Sequence, residues 1–307
     1  MNDEITLVTA FFDCNRGQSK YQTRTNEKYL DYFRFWARLK NKLIIYTTSE
    51  FKEVVLSVRR DFNLESRTVV ITVDDIWEIE DDIYVFMKKV EKKSRFVNWR
   101  YRNSDISNHA DYNYIMLMKY WCMQDAVRKK LTAEMVCWFD FGWNHGGEVF
   151  SCPEEFDFEW RYSFTPKIHL FALSEPINDT GIIRLQSMTD SIMGMQVICS
   201  SELCSKLYDY CKQSMYSLLS LDCYDDDQML LRMAYKLHKK EFEIHLSNWF
   251  LPLKEFGGQH LTVAKEQIRS KHLNINFNKL FYKIFTGMSK EEYHFMQRLL
   301  KIMKEEN

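Results

Sequence analysis

The first 75 residues alternate between short β-rich runs and segments of helical period, and this alternation limits the fold more than any other feature. Residues 5–12 are apolar and rich in β-branched and aromatic side chains, and they end at Asp13 and Gly17. Across 25–39, Tyr29, Leu30, Phe33, Trp36 and Ala37 recur at helical spacing. A second apolar run covers 43–47, a helical segment 51–62, and a third run 68–73 ends at Asp74 and Asp75. Strand, helix, strand, helix, strand is the pattern of a parallel sheet joined by crossover helices. Such a sheet brings the carboxyl ends of its strands to one edge, where ligands bind.

The same edge receives a fourth strand. Residues 112–129 read as a strong helix, with a cap in 108–111, leading into the apolar run 135–139. That run ends in one carboxylate, Asp140, and the chain turns at Gly142. An acid in such a place is costly to bury unless it meets a cation or hydrogen-bond donors. A metal, a nucleotide or a sugar would meet that need. Asp13, Asp74 and Asp140 are then expected along one sheet edge.

Further on, 83–93 reads as helical and 151–188 as irregular, with a short strand at 168–173. Residues 192–199 form a strand interrupted by Gly194. An amphipathic helix over 200–219, capped by Ser200 or Ser201, precedes the acids Asp225, Asp226 and Asp227. A helix to His238 and a last strand at 242–246 follow. Two parts are expected: a nucleotide-sugar transferase domain over 1–260, and a helical, basic-amphipathic extension over 261–307. The extension would suit an anionic membrane surface or pack on the core.

Composition narrows the class. Of 307 residues, 46% are hydrophobic and 15% aromatic, enough for a sizeable core. The net charge of -1 supplies no global basic field, which argues against a nucleic-acid partner. The eight cysteines include no C-x-x-C pair and read as reduced thiols. The acidic start, with no signal peptide after it, and the lack of a long apolar stretch point to a cytoplasmic protein. Asp140-Phe141-Gly142 matches one protein-kinase motif, but the glycine-rich and His-Arg-Asp loops are missing, which excludes that family.

The Rossmann-like opening and the mid-chain acid resemble glycosyltransferases of the GT-A type. More specifically, Thr6-Leu7-Val8-Thr9-Ala10-Phe11-Phe12-Asp13, Arg24-Thr25-Asn26-Glu27-Lys28-Tyr29-Leu30, Leu43-Ile44-Ile45-Tyr46-Thr47 and Trp138-Phe139-Asp140-Phe141-Gly142 resemble the HtrL/YibB-like bacterial family. The resemblance covers residues 5 to about 260. That family is related to GT-A enzymes and is associated with lipopolysaccharide and capsule assembly.

The resemblance implies a GT-A-like mixed α/β sheet flanked by helices. It implies transfer of a hexose, galactose among the candidates, from a UDP-sugar to a surface glycan precursor. The partners would be the nucleotide sugar and a glycan or lipid-linked acceptor at the inner face of the bacterial membrane. Mn²⁺ or Mg²⁺ is the implied cofactor. Backbone groups of Thr9 and Ala10 would read the base, with Asp13, Arg16 and Asp74 near the nucleotide. Asn113 and Lys119 would face the donor, and Gly194 would admit the hexose. Asp140 would hold ribose or cation. Gly142 stands where an Asp-x-Asp element carries its second acid, so His245 or His260 would complete the cation shell. Asp227, then Asp226, would take the acceptor proton in an inverting reaction. Two other readings stay open: a nucleotide-sugar binder without turnover, and a membrane-surface interaction protein.

Overall fold

The computed structural model describes residues 3–14, 24–101, 106–175, 180–188 and 191–264. Arg16 and the expected C-terminal extension beyond Ala264 lie outside the described residues. In chain order the elements are β1 (Ile5–Phe11), α1 (Asn26–Trp36), β2 (Leu43–Thr47), α2 (Lys52–Arg60), β3 (Thr68–Thr72), α3 (Asp81–Glu91), α4 (Ser94–Trp99), α5 (Ala110–Arg128) and β4 (Met135–Phe139). They continue with β5 (Ile168–Ala172), α6 (Gly181–Ser187), β6 (Ile192–Ser200), α7 (Cys204–Leu219), α8 (Asp227–His238), β7 (Phe242–Leu246) and α9 (Pro252–Glu255).

The strands form one seven-stranded sheet in the order β3-β2-β1-β4-β6-β5-β7. Pairing is parallel from β3 through β2 and β1 to β4, and again between β5 and β7. Only β6 is reversed, running antiparallel to both β4 and β5. This is a mixed α/β sheet flanked by helices. Six strands therefore present their carboxyl ends at one edge, where β6 begins.

Helices cover both faces. Side chains of α3, α5, α7 and α8 form one core with Val8, Trp138, Leu170 and Val197 of the sheet. On the other face α1, α2 and the segment after β4 pack with Leu7, Phe139, Phe171 and Met193. The α5 helix is buried almost all round, which explains its run of Ile115, Met116, Leu117 and Met118. At the start of α1 the Thr25 hydroxyl accepts from the Lys28 amide, as its position in the sequence predicts. Among the described residues no helix is long and apolar enough to cross a membrane. All eight cysteines are free thiols.

Three local expectations need correction. Residues 181–187, read as irregular, form α6. Ser200 and Ser201 do not cap α7 through their side chains, because Ser200 is the buried last residue of β6 and a 3-10 turn leads into the helix. No side chain at His109 caps α5 either. Instead Asn113 reaches back to donate to the Ser107 and His109 carbonyls at 2.7 and 2.8 Å.

One buried cation ties the first half together. Arg59 of α2 is 1% exposed. It donates to the carbonyls of Ala37 and Leu39, both at 2.6 Å, of Asn41 at 3.0 Å, and to the Thr68 hydroxyl at 2.9 Å. These carbonyls end α1 and lead into β2, where a helix end favours positive charge. Burial, helped by Arg67, lowers its pKa to about 9. Arg59→Met should destabilise the fold by roughly 3 kcal/mol, since several buried acceptors lose their donor. Urea unfolding monitored by far-UV circular dichroism measures this.

Candidate functional site

The strand order reverses its direction of growth between β1 and β4, and open α/β sheets bind ligands at such a point. Pairing between these strands runs from Ile5–Met135 to Val8–Trp138. The last residues of β1, Thr9 to Phe11, extend past that ladder and border the opening. Thr9 is fully buried, and among the described residues its hydroxyl has no protein partner. Ala10 is partly buried. Asp13 follows and accepts from the Asn26 side chain at 3.1 Å.

Four elements bring their predicted residues to one point here. From α5, the Lys119 ammonium lies 2.8 Å from Asp140 Oδ1 and 2.5 Å from Asp227 Oδ2. It also donates to the Gly194 carbonyl of β6 at 3.1 Å. Its three N–H groups thus meet three oxygens. Trp138 adds its indole N–H to Asp140 Oδ1 at 2.6 Å, and its ring lies 5.6 Å from the Lys119 nitrogen. The Asp140 amide is fixed by the Met195 carbonyl at 2.9 Å. Gly194 needs its hydrogen side chain, because a Cβ would overlap the Asp227 carboxylate.

The acids differ in access. The Asp140 side chain is 32% exposed and that of Asp227 only 5%. Among the described residues, Asp140 Oδ2 has no protein partner. One Lys between two carboxylates leaves a net negative charge, so the cluster favours a cation or hydroxyl donors at that free oxygen. Burial works against the Lys119 ammonium, but the charges of Asp140 and Asp227 outweigh it and hold its pKa above the ordinary lysine value. Burial raises the Asp227 carboxyl, with Asp140 adding to the rise against the pull of Lys119.

The neighbouring acids have separate partners. Asp225 pairs with buried Arg100 at 2.5 Å. Asp226 caps α8 by accepting from the Gln228 amide at 3.1 Å. Desolvation, with the charges of Asp225 and Asp227, pushes the Asp226 carboxyl well above the usual range.

The remaining predicted residues lie elsewhere. Asp74 follows β3, three strands from β4, or about 14 Å across the sheet. Its two oxygens clamp the amide and hydroxyl of Ser49, both at 2.6 Å, which lowers its pKa. Asn113 serves the start of α5, about 9 Å along the helix from Lys119. His245 on β7 is likewise three strands from β4. It lies 3.0 Å from His169, and burial lowers the pKa of both rings. His260 stands against the Phe158 ring, 4.4 Å between centroids, and its Nε2 meets the Glu155 carbonyl at 3.0 Å. The structure does not bring either histidine to Asp140.

Gly142 has a steric reason. A Cβ there would come 2.7 Å from the Tyr29 ring of α1. The place of a second acid is occupied by an aromatic side chain.

Three neighbours escaped the sequence reading. Trp138 was legible, since residues i and i+2 at a strand end share a side. Tyr120 is fully buried with an unpartnered hydroxyl, and burial with the charge of Asp227 pushes its pKa up. Gln196, opposite Phe139 at the end of β4 and so on the other face of the sheet from Trp138, is fully buried, with no partner for either side-chain polar atom among the described residues. No spacing signals either of these two.

Residues 3–257 match the model of a family described as a bacterial protein of unknown function (HtrL_YibB). Protein HtrL of Escherichia coli (strain K12) is 25% identical over 291 residues, covering 88% of this chain and 98% of that protein. The crystal structure of mouse xyloside xylosyltransferase 1 in its apo form superposes with a TM-score of 0.41 at 14% identity, covering 79% of this chain and 85% of that one.

The carboxyl group of Asp226 has a raised pKa in the folded state, so the folded protein loses stability as pH climbs from the unfolded carboxylate value toward the folded one. Asparagine caps a helix as well as aspartate. Asp226→Asn should therefore be more stable than the wild type at neutral pH. Its stability should also fall less as pH rises above the ordinary carboxylate range in urea titrations.

Proposed function

The chain belongs to the HtrL/YibB family, and from that premise we propose that it is a UDP-sugar-dependent glycosyltransferase. It moves a hexose, galactose among the candidates, to a precursor of lipopolysaccharide or capsule. The observation that carries this reading is the convergence of Lys119, Asp140, Asp227 and Gly194 beside the β1–β4 crevice.

In this reading the base lies against Thr9 and Ala10, and Asp13 stands near the ribose. The free oxygen of Asp140 takes a ribose hydroxyl or one position of a divalent cation. The donor set suits Mg²⁺ or Mn²⁺ held by one carboxylate, with phosphates and water filling the rest of the shell. When bound, that cation would neutralise charge on the departing diphosphate. Lys119 holds the two acids in register. Gly194, expected to admit the hexose, instead gives its space to the Asp227 carboxylate, which lets that acid sit against the β6 backbone. The acceptor is a glycan precursor, lipid-linked and met at the cytoplasmic face of the membrane.

An inverting transfer needs a carboxylate to take the acceptor proton. The raised carboxyl pKa of Asp227 suits that task. Its burial and its bond to Lys119 favour a second reading, in which it positions Lys119 against Asp140. Both predict loss of transfer in Asp227→Asn, but only the first predicts that the alkaline-favoured limb of the pH profile disappears.

Binding is the primary test. UDP or a UDP-sugar with Mg²⁺ should raise the melting temperature with ligand concentration. Mg²⁺ alone should give no such shift. Asp140→Asn, which keeps an oxygen for Trp138, should abolish most of the nucleotide-dependent shift and cut sugar release by about 100-fold or more. A wild-type protein indifferent to UDP-sugars and GDP-sugars alike would remove the proposal.

A further inference from the structure

We infer that His169, Glu243 and His245 form a transition-metal site of the zinc class, separate from the Asp140 crevice. Each contributes one ligand atom, and these atoms lie within 4.8 Å of one another. His169 sits on β5 directly across from Glu243 of β7, and His245 follows two residues later on the same side of its strand. The neighbouring Phe171 and Phe256 belong to the face covered by α1 and α2. Lys119 approaches the sheet from the other face.

The hydrogen bonds around His169 and Glu243 prepare those two as ligands. His169 Nε2 stands 2.8 Å from the Thr165 carbonyl. A carbonyl only accepts, so that nitrogen carries the ring proton and Nδ1 turns its lone pair inward. His245 Nε2–H donates to this Nδ1 at 3.0 Å, so a metal would take the place of that proton and bind His245 as its other tautomer. The Thr165 hydroxyl donates to Glu243 Oε2 at 2.8 Å, leaving Oε1 facing His245 Nε2 at 3.9 Å. One residue, Thr165, therefore orients two of the three donors from behind, as outer partners of metal ligands do.

Two imidazoles and one carboxylate select zinc and similar ions over Mg²⁺ or Ca²⁺, which prefer all-oxygen shells. Nitrogens on a tetrahedral zinc stand roughly 3.3 Å apart, so the pair need open by only a few tenths of an ångström. The Glu243 side chain is 39% exposed and that of His245 17%, which gives an ion a path from solvent and leaves a position for water. Bound metal would fasten the edge strand β7 to β5.

The test is calorimetric titration of Zn²⁺ into untagged, chelator-treated full-length protein. The expected result is one site per chain, with no heat from Mg²⁺. Thr165→Val should weaken binding about tenfold through the lost outer contact. His245→Asn and Glu243→Gln should weaken it by more than that, roughly 100-fold for the histidine. Asp140→Asn should bind zinc as the wild type does, which keeps this result independent of the nucleotide proposal. Absence of a zinc site in the wild type, or wild-type affinity in His245→Asn or Glu243→Gln, would overturn the inference.

Discussion

The ammonium of Lys119 holds the candidate site together. It reaches two carboxylates and a backbone carbonyl from three different elements, so α5, α8, β6 and the end of β4 meet through one side chain. The arrangement is possible because α5 is buried on nearly every side, which brings a lysine into the protein beside the sheet. A lone ammonium there would be very costly, and so would either carboxylate. Together they offset one another's burial, and among the described residues Asp140 Oδ2 is left as an acceptor without a protein partner. The chemistry available to a ligand is what this mutual neutralisation leaves over.

The same accounting explains why the acids of the 225–227 run are not equivalent. Each lies within two residues of the others, yet Arg100 takes Asp225, the α8 amides take Asp226, and Lys119 takes Asp227. Three like charges can sit at one turn because three different donors divide them. Burial first, and nearby negative charge second, raises all three carboxyl pKa values.

Periodicity made most of the fold legible. The strands over β1 to β4 and the intervening α1, α2 and α5 carry the apolar spacing that their burial requires. The direction of β6 was not legible, because an apolar strand buried on both faces reads the same in either sense. Nor was α6, where Gly181-Ile182-Ile183 has weak helix propensity and tertiary contacts decide. Within the site, Lys119 was legible as a charge set among Met116, Leu117, Met118 and Tyr120, a place where a partner is obligatory. Asp74 carried the correct local signal of an acid after a strand, but strand order puts it at the far side of the sheet. The pairing of His245 with His169 spans 76 positions and leaves no trace in spacing.

The crowding at Gly142 reaches beyond that position. An Asp-x-Asp element is one codon change away in appearance, yet the Tyr29 ring fills the space that the new side chain would need. Tyr29 in turn stands edge-on to Tyr32, with 5.7 Å between ring centroids, and Tyr32 lies against His145. A second strand-end acid would therefore require the Tyr29 ring to move aside or give way to a smaller residue. The two positions are sterically coupled, so that the Tyr29 ring governs the room for a two-carboxylate site at the end of β4.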